Sequence, residues 1–168
     1  IEGYRHFVNK IWNSSRFVLM NLDAAGESDE EPKERSLPDR WILTRHGKVS
    51  DEISRALDDY RFNDAASLCY QFVWHEFCDW YIEMAKEWLY GENEPQKKAT
   101  QSTLKQVLKG VLRLLHPFMP FVTEDIWQRM PGTKGSIMKA AFPRSCDFVA
   151  DNHALDEMEL VMGVITGV

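Results

Sequence analysis

The sequence predicts an all-α fold, an antiparallel bundle of about four or five helices, and three observations carry that prediction. Apolar residues recur at steps of three and four over most of the chain. The stretch from Phe62 to Leu89 contains no Gly or Pro and is too long and too aromatic for anything but a central helix packed on several sides. The breaks between periodic stretches are mostly short, as in a bundle whose neighbouring helices run in opposite directions.

The first element runs from about Glu2 to Leu22. Its core-facing stripe is Tyr4, Val8, Ile11, Ser15, Val18 and Leu22, which fall in a narrow arc at about 100° per residue. On the opposite face Arg5, Asn9, Asn13, Arg16 and Met20 line up, flanked by His6, Lys10 and Phe17, and Glu2 is the sole acidic residue of the element. Phe17 lies about 140° from the centre of the stripe, where burial in the bundle's own core is not expected.

Asp23 to Leu37 is rich in Glu, Asp, Ser and Gly and reads as a solvated loop. Pro38 suits the first turn of a second helix carrying Trp41, Ile42, Arg45, Val49, Ile53, Ala56, Leu57 and Tyr60. Asn63 and Asp64 sit near the start of the central helix, where they can meet free backbone N–H groups. The stripe of that helix is Phe62, Ala66, Cys69, Val73, Phe77, Trp80, Met84 and Trp88.

After the turn GENEP, a fourth helix opens at Pro95 or Gln96 and carries Leu104, Val107, Leu108, Val111, Leu112, Leu114 and Leu115. Pro117 and Pro120 stop or kink it, and the segment HPFMPF makes a rigid apolar corner before a short helix from Thr123 to Met130, with Ile126 and Trp127 facing inward. The period is lost from Pro131 to Ala150. Within that stretch Ser136 to Phe142 reads as a short extended piece held by Ile137, Met138 and Phe142. A last helix starts at Asp151 or Asn152 with Leu155, Met158, Val161, Met162 and Ile165 in register.

The 168 residues, 44% hydrophobic, suffice for one domain with its own core. A net charge of -6 argues against a surface that coats nucleic acid as a whole, so contact with a polyanion must be confined to a local patch. Cys69, Cys78 and Cys146 form no CxxC pair, which points to a reducing, cytoplasmic compartment. No apolar run is long enough for a membrane span and no signal peptide is present. A chain that starts at Ile1 and stops at Val168 within an amphipathic pattern reads as a piece of something larger.

Most candidate chemistry fails on spacing. A di-iron bundle needs Glu-x-x-His on two helices, and no histidine here has Glu three residues before it. His75, Cys78 and Asp79 share adjacent turns, but no second cluster completes a metal site, so they read as a polar strip beside a packed thiol. Neither a nucleophile elbow nor a Gly-rich phosphate loop is present, so no catalytic residue, metal or cofactor is assigned. What remains is the polar face of the first helix. Arg and Lys neutralise phosphates, Asn reads base edges, and a protruding Phe stacks on an unpaired base. The rival readings are a merely wet face, or docking of Phe17 and Met20 on another protein domain.

The blocks FVNKIWNSSRFVLMN, FVWHEFCDWYIEMAK and LLHPFMPFVTEDIWQRM, in that order, resemble the C-terminal helical-bundle domain of valyl-tRNA synthetases over about Gly3 to Pro143. The Pro-Phe-x-Pro-like corner is shared with synthetases for other amino acids, so an isoleucine-type synthetase is the near alternative. The resemblance implies a monomeric parent enzyme that joins valine to its tRNA with ATP. It also implies that the catalytic signatures, the editing domain and the C-terminal coiled coil lie outside these residues. The bundle's implied partners are the anticodon stem-loop of the valine tRNA and the catalytic domain of the same polypeptide. On that basis Phe17 is the expected stacking platform, Asn13 and Lys10 are expected at base edges, and Arg5 and Arg16 at phosphates or bases.

Overall fold

A computed structural model of the chain describes residues 2–22, 32 and 34–167, without the side chains of Glu2 and Tyr4. The expected place of Tyr4 in the core, and most of the expected acidic loop, lie outside the described residues. Helix α1 (Glu2–Asn21) is followed by α2 (Leu37–Asp58), and then by a continuous central rod. That rod comprises α3 (Phe62–Gln71), a π-helical segment (Phe72–Tyr81) and α4 (Ile82–Tyr90). Helices α5 (Glu94–Leu115), α6 (Pro120–Arg129) and α7 (Asn152–Thr166) complete the order, with single 3₁₀ turns at Ile137–Lys139 and Ser145–Asp147. No strand is assigned among the described residues. The predicted all-α bundle is therefore present, with six rods among the described residues once the short α6 is counted.

Local chemistry sets the ends of these helices. Ser36 caps α2, its Oγ accepting from the Asp39 N–H at 3.3 Å, with Pro38 in the first turn. Asn93 caps α5 in the same way, 3.1 Å from the Gln96 N–H, and Asp151 caps α7 through the Ala154 N–H at 3.1 Å. Tyr60, expected inside α2, stands instead in the turn after it with φ +57° and is exposed.

The central rod departs from the straight helix that the sequence predicts. Its buried line is Ala65, Cys69, Phe72 and Val73, then Phe77 and Cys78, then Tyr81, Ile82, Ala85 and Leu89. The step of five from Phe72 to Phe77 falls within the π segment, whose wider turn takes up one extra residue. Beyond it the core face is displaced by one position. Trp80, Met84 and Trp88, expected in the core, are half-buried on the shoulder, and Phe62 at the start of the rod is exposed.

A buried carboxylate ties the rods together. Asp39, fully enclosed, accepts from the Tyr81 hydroxyl at 2.6 Å, Thr100 Oγ1 at 3.0 Å, Gln96 Nε2 at 3.3 Å and Ser36 Oγ at 2.7 Å. These donors come from α5, the end of the π segment and the α2 cap, and together they supply the hydrogen bonds a buried anion requires. On the far side of α2, Arg45 forms a two-pronged pair with Glu76 of the π segment at 2.7 and 2.8 Å.

Two apolar expectations in the second half are corrected, at Ser136–Phe142 and along α7. Phe121 at the proline corner points outward, because Pro120 opens α6 and turns the next side chain away from α5. The piece at Ser136–Phe142 folds as a 3₁₀ turn held by Ile137, which leaves Met138 exposed. Helix α7 rests on α2 through Ala154 and Met158, while Val161 and Ile165 on its outer half are exposed.

Candidate nucleic-acid interface

Helix α1 buries Phe7, Ile11, Ser15 and Val18. It is held on both shoulders, by the π segment on one side and by α6 on the other. On the α6 side the Arg129 guanidinium lies 5.5 Å from the Trp12 ring centre. This two-sided grip leaves only the outer crest wet. Arg5, His6, Asn9, Asn13, Arg16 and Met20 are exposed there, the face the periodicity predicts. Neither Arg5 nor Arg16 has an ion pair among the described residues.

Phe17 requires a correction. It is half-buried and packs against the core rather than protruding. Phe17 does lie off the α1 stripe, but a single helix's periodicity cannot register a second rod leaning on its shoulder. The ring lies beside α4, with Lys86 Nζ 5.7 Å from its centre. Lys10 sits on the same shoulder. Its ammonium is ion-paired with Asp79 and lies 4.4 Å from the Trp74 ring centre, and Asp79 also meets His75 Nδ1 at 3.3 Å. Phe7, Tyr70 and Trp74 form an aromatic group beneath it, with centroids 5.0 to 6.1 Å apart.

Between the two rods lies a groove of about 310 Å³. Lys10, Asn13, Ser14 and Phe17 line it from α1, and Cys78, Asp79, Ile82, Glu83 and Lys86 line it from the central rod. Lys86 reaches both oxygens of Glu83 at 2.7 Å. Burial pushes the Cys78 thiol up to about 11, so its edge of the groove stays uncharged at neutral pH. The groove thus joins an aromatic face and an amide to two lysines, each already matched by a carboxylate. Three of the five sequence-predicted residues, Lys10, Asn13 and Phe17, meet here, while Arg5 and Arg16 stand on the crest.

Sequence reasoning missed Asp79, Glu83 and Lys86 as partners of α1, since nothing in the α1 pattern tells which rod will face it. A sequence signal existed only for the Glu83–Lys86 spacing of three. Among the described residues no group of three His, Cys, Asp or Glu side chains is placed to hold a metal ion. Among the described residues no helix is long and apolar enough to cross a membrane.

Residues 39–168 match the family model described as the anticodon-binding domain of tRNA ligase. The chain belongs to that family. The match takes in the central-rod wall of the groove and leaves α1 outside, whereas the relatives align over the whole chain. The chain is 52% identical to the valine–tRNA ligase of Syntrophotalea carbinolica, 51% to that of Geobacter sulfurreducens and 48% to that of Bacillus thuringiensis subsp. konkukian. Each alignment covers 100% of this chain and 19% of the relative, so the chain spans about a fifth of the length of those proteins.

Proposed function

We propose that this domain grips the anticodon stem-loop of a valine tRNA on the crest of α1 and in the groove beside it, as one part of a valine–tRNA ligase. It supplies affinity and discrimination, takes no catalytic step and needs no cofactor of its own. ATP and valine are the business of other parts of such an enzyme, which acts as a monomer. The observation that carries the reading is the crest. Arg5 and Arg16, without ion pairs among the described residues, share an exposed face with Asn9 and Asn13, beside a groove that holds an aromatic ring. Phosphates suit the two guanidiniums, and an unpaired base suits the amide and the ring. Sequence identity near 50% over the whole chain supports valine over an isoleucine-type parent.

The test follows from the half-buried ring. Phe17→Leu keeps an apolar side chain against the core and removes the aromatic face. Affinity for an anticodon stem-loop should drop roughly tenfold, the stacking contribution of one base, with the thermal transition little changed. Equal affinity for the variant and the parent protein would refute stacking at Phe17. A loss of domain docking in the full-length ligase, with RNA affinity intact, would favour the protein-contact reading of this face.

A further inference from the structure

Three exposed aromatic side chains share one pole of the bundle. Tyr60 is 80% exposed and Phe62 56% exposed at the turn between α2 and α3, edge-on to each other with ring centres 6.1 Å apart. Phe121, 90% exposed, stands in the first turn of α6. The packing of α5 against the central rod puts all three at the same level. Cys69 Sγ meets the Leu114 carbonyl at 3.7 Å, while Tyr81 and Thr100 both donate to Asp39, so the two rods run in opposite directions. Phe62 precedes Cys69 by seven residues and Phe121 follows Leu114 by seven, so both lie beyond that contact on the same side.

The backbone at Tyr60 is not what the fold's own stability would select. The Arg61 N–H reaches the Ala56 carbonyl at 2.7 Å and the Tyr60 N–H the Leu57 carbonyl at 3.0 Å, the pair of bonds that closes a helix on a left-handed residue. Glycine is the usual occupant, because a side chain is strained at the φ of +57° that Tyr60 adopts. An exposed ring returns little packing within the chain to offset that strain. Charge narrows what could cover the pole. Over residues 58–64 the carboxylates of Asp58, Asp59 and Asp64 outnumber the one guanidinium, Arg61, which pairs with the latter two. That excess repels RNA phosphates. A second copy in a two-fold contact would set the same acidic patch against itself. A protein surface that is apolar at its centre and basic at its border fits both the rings and the carboxylates.

We propose that this pole is a docking face for another part of the same ligase polypeptide, a protein surface whose apolar recess takes the rings of Tyr60, Phe62 and Phe121 and whose border carries lysine or arginine. The inference rests on the reading of the chain as one part of a valine–tRNA ligase. The aligned span is 19% of each relative, which leaves much protein to pack against the domain. On the rod, the groove wall begins at Cys78, roughly 20 Å beyond Phe62, so a docked domain leaves the groove open.

Hydrogen exchange of the backbone at residues 58–64 is measured in the full-length ligase and in this chain alone, with thermal melts and stem-loop binding on the same samples. Exchange is expected to be about tenfold slower in the full-length protein. The difference should shrink as salt is raised, since carboxylates meet cations there. Tyr60→Gly should raise the melting temperature of the chain alone by relieving the backbone, yet bring exchange in the full-length ligase towards that of the variant chain alone. Phe121→Ser, which leaves the turn untouched, should also speed exchange in the full-length ligase, without the gain in melting temperature. Equal exchange in the full-length ligase and the chain overturns the docking face. So does a Tyr60→Gly chain that melts lower, since the ring would then serve the fold. Protection that needs added stem-loop RNA, or that grows with the concentration of the chain alone, assigns the pole to RNA or to a second copy and overturns it too. Protection that ignores salt overturns the basic border. Absence of stem-loop binding with the protection intact refutes the RNA-binding reading and leaves the docking face standing.

Discussion

His46 shows how one side chain ties the inner packing of the bundle to pH. Its ring is fully buried, stacked on Phe148 with centroids 4.2 Å apart and edge-on to Phe72 at 5.1 Å. Ser50 Oγ donates to the His46 carbonyl at 2.8 Å, so the hydroxyl must accept from Nδ1–H at 3.1 Å, and Nε2 is left as a bare lone pair without a partner. That nitrogen faces Gly110, where a Cβ would come within 2.2 Å of it, so only glycine lets α5 approach. Burial pulls the imidazole down to about 3, with the Arg113 charge on α5 adding to the shift. The unfolded imidazole takes up its proton near pH 6.5, so between there and pH 3 the unfolded chain binds one more proton at this position than the folded one. Stability from this group is therefore complete above about pH 6.5 and declines with acidification, by up to about 1.4 kcal/mol per pH unit. Urea melts between pH 7 and pH 4 should show His46→Leu losing about one proton's worth of slope relative to the unaltered chain. Identical slopes would mean that the ring is charged or solvated in the fold.

At the scale of elements, legibility followed the reach of a pattern within one helix. The periodicity of α5 yields all seven of its predicted core residues, because a straight helix repeats the same phase from end to end. The exposed crest of α1 is legible for the same reason. The π segment is not, since the residues that bracket the step from Phe72 to Phe77 look like any aromatic helix, and the extra residue emerges only when two rods must both be satisfied. That difference can be measured. Deleting the exposed His75 should let the segment close to ordinary α-geometry and keep Tyr81, Ala85 and Leu89 facing the core. The expected outcome is a folded chain that loses about 1–3 kcal/mol in a denaturant melt, the range of an ordinary point change. Deleting the exposed Lys48 from α2, which has no such slack, turns Val49, Ile53 and Ala56 by about 100° and should abolish the cooperative transition. Equal tolerance of the two deletions would show that the π segment does not set the phase.

At the scale of the whole molecule, a net charge of -6 must be reconciled with the proposed polyanionic partner. Many cations are already matched locally. Arg61 is pinned by Asp59 and Asp64 at 3.1 and 2.9 Å, Lys86 by Glu83, Arg45 by Glu76 and Lys10 by Asp79. At the proposed interface the cations without an ion pair among the described residues are Arg5 and Arg16 on the α1 crest, so the salt dependence of binding should be shallow and carried by few residues. Each phosphate neutralised contributes roughly 0.7 to 0.9 to the slope of log affinity against log salt. Arg5→Gln and Arg16→Gln should each lower the slope by about that amount and weaken all stem-loops uniformly. Arg61→Gln should leave it unchanged, because Asp59 and Asp64 already cancel that charge. A slope that falls equally for Arg61→Gln would mean that the protein's overall field attracts the RNA, and the crest of α1 would lose its special standing.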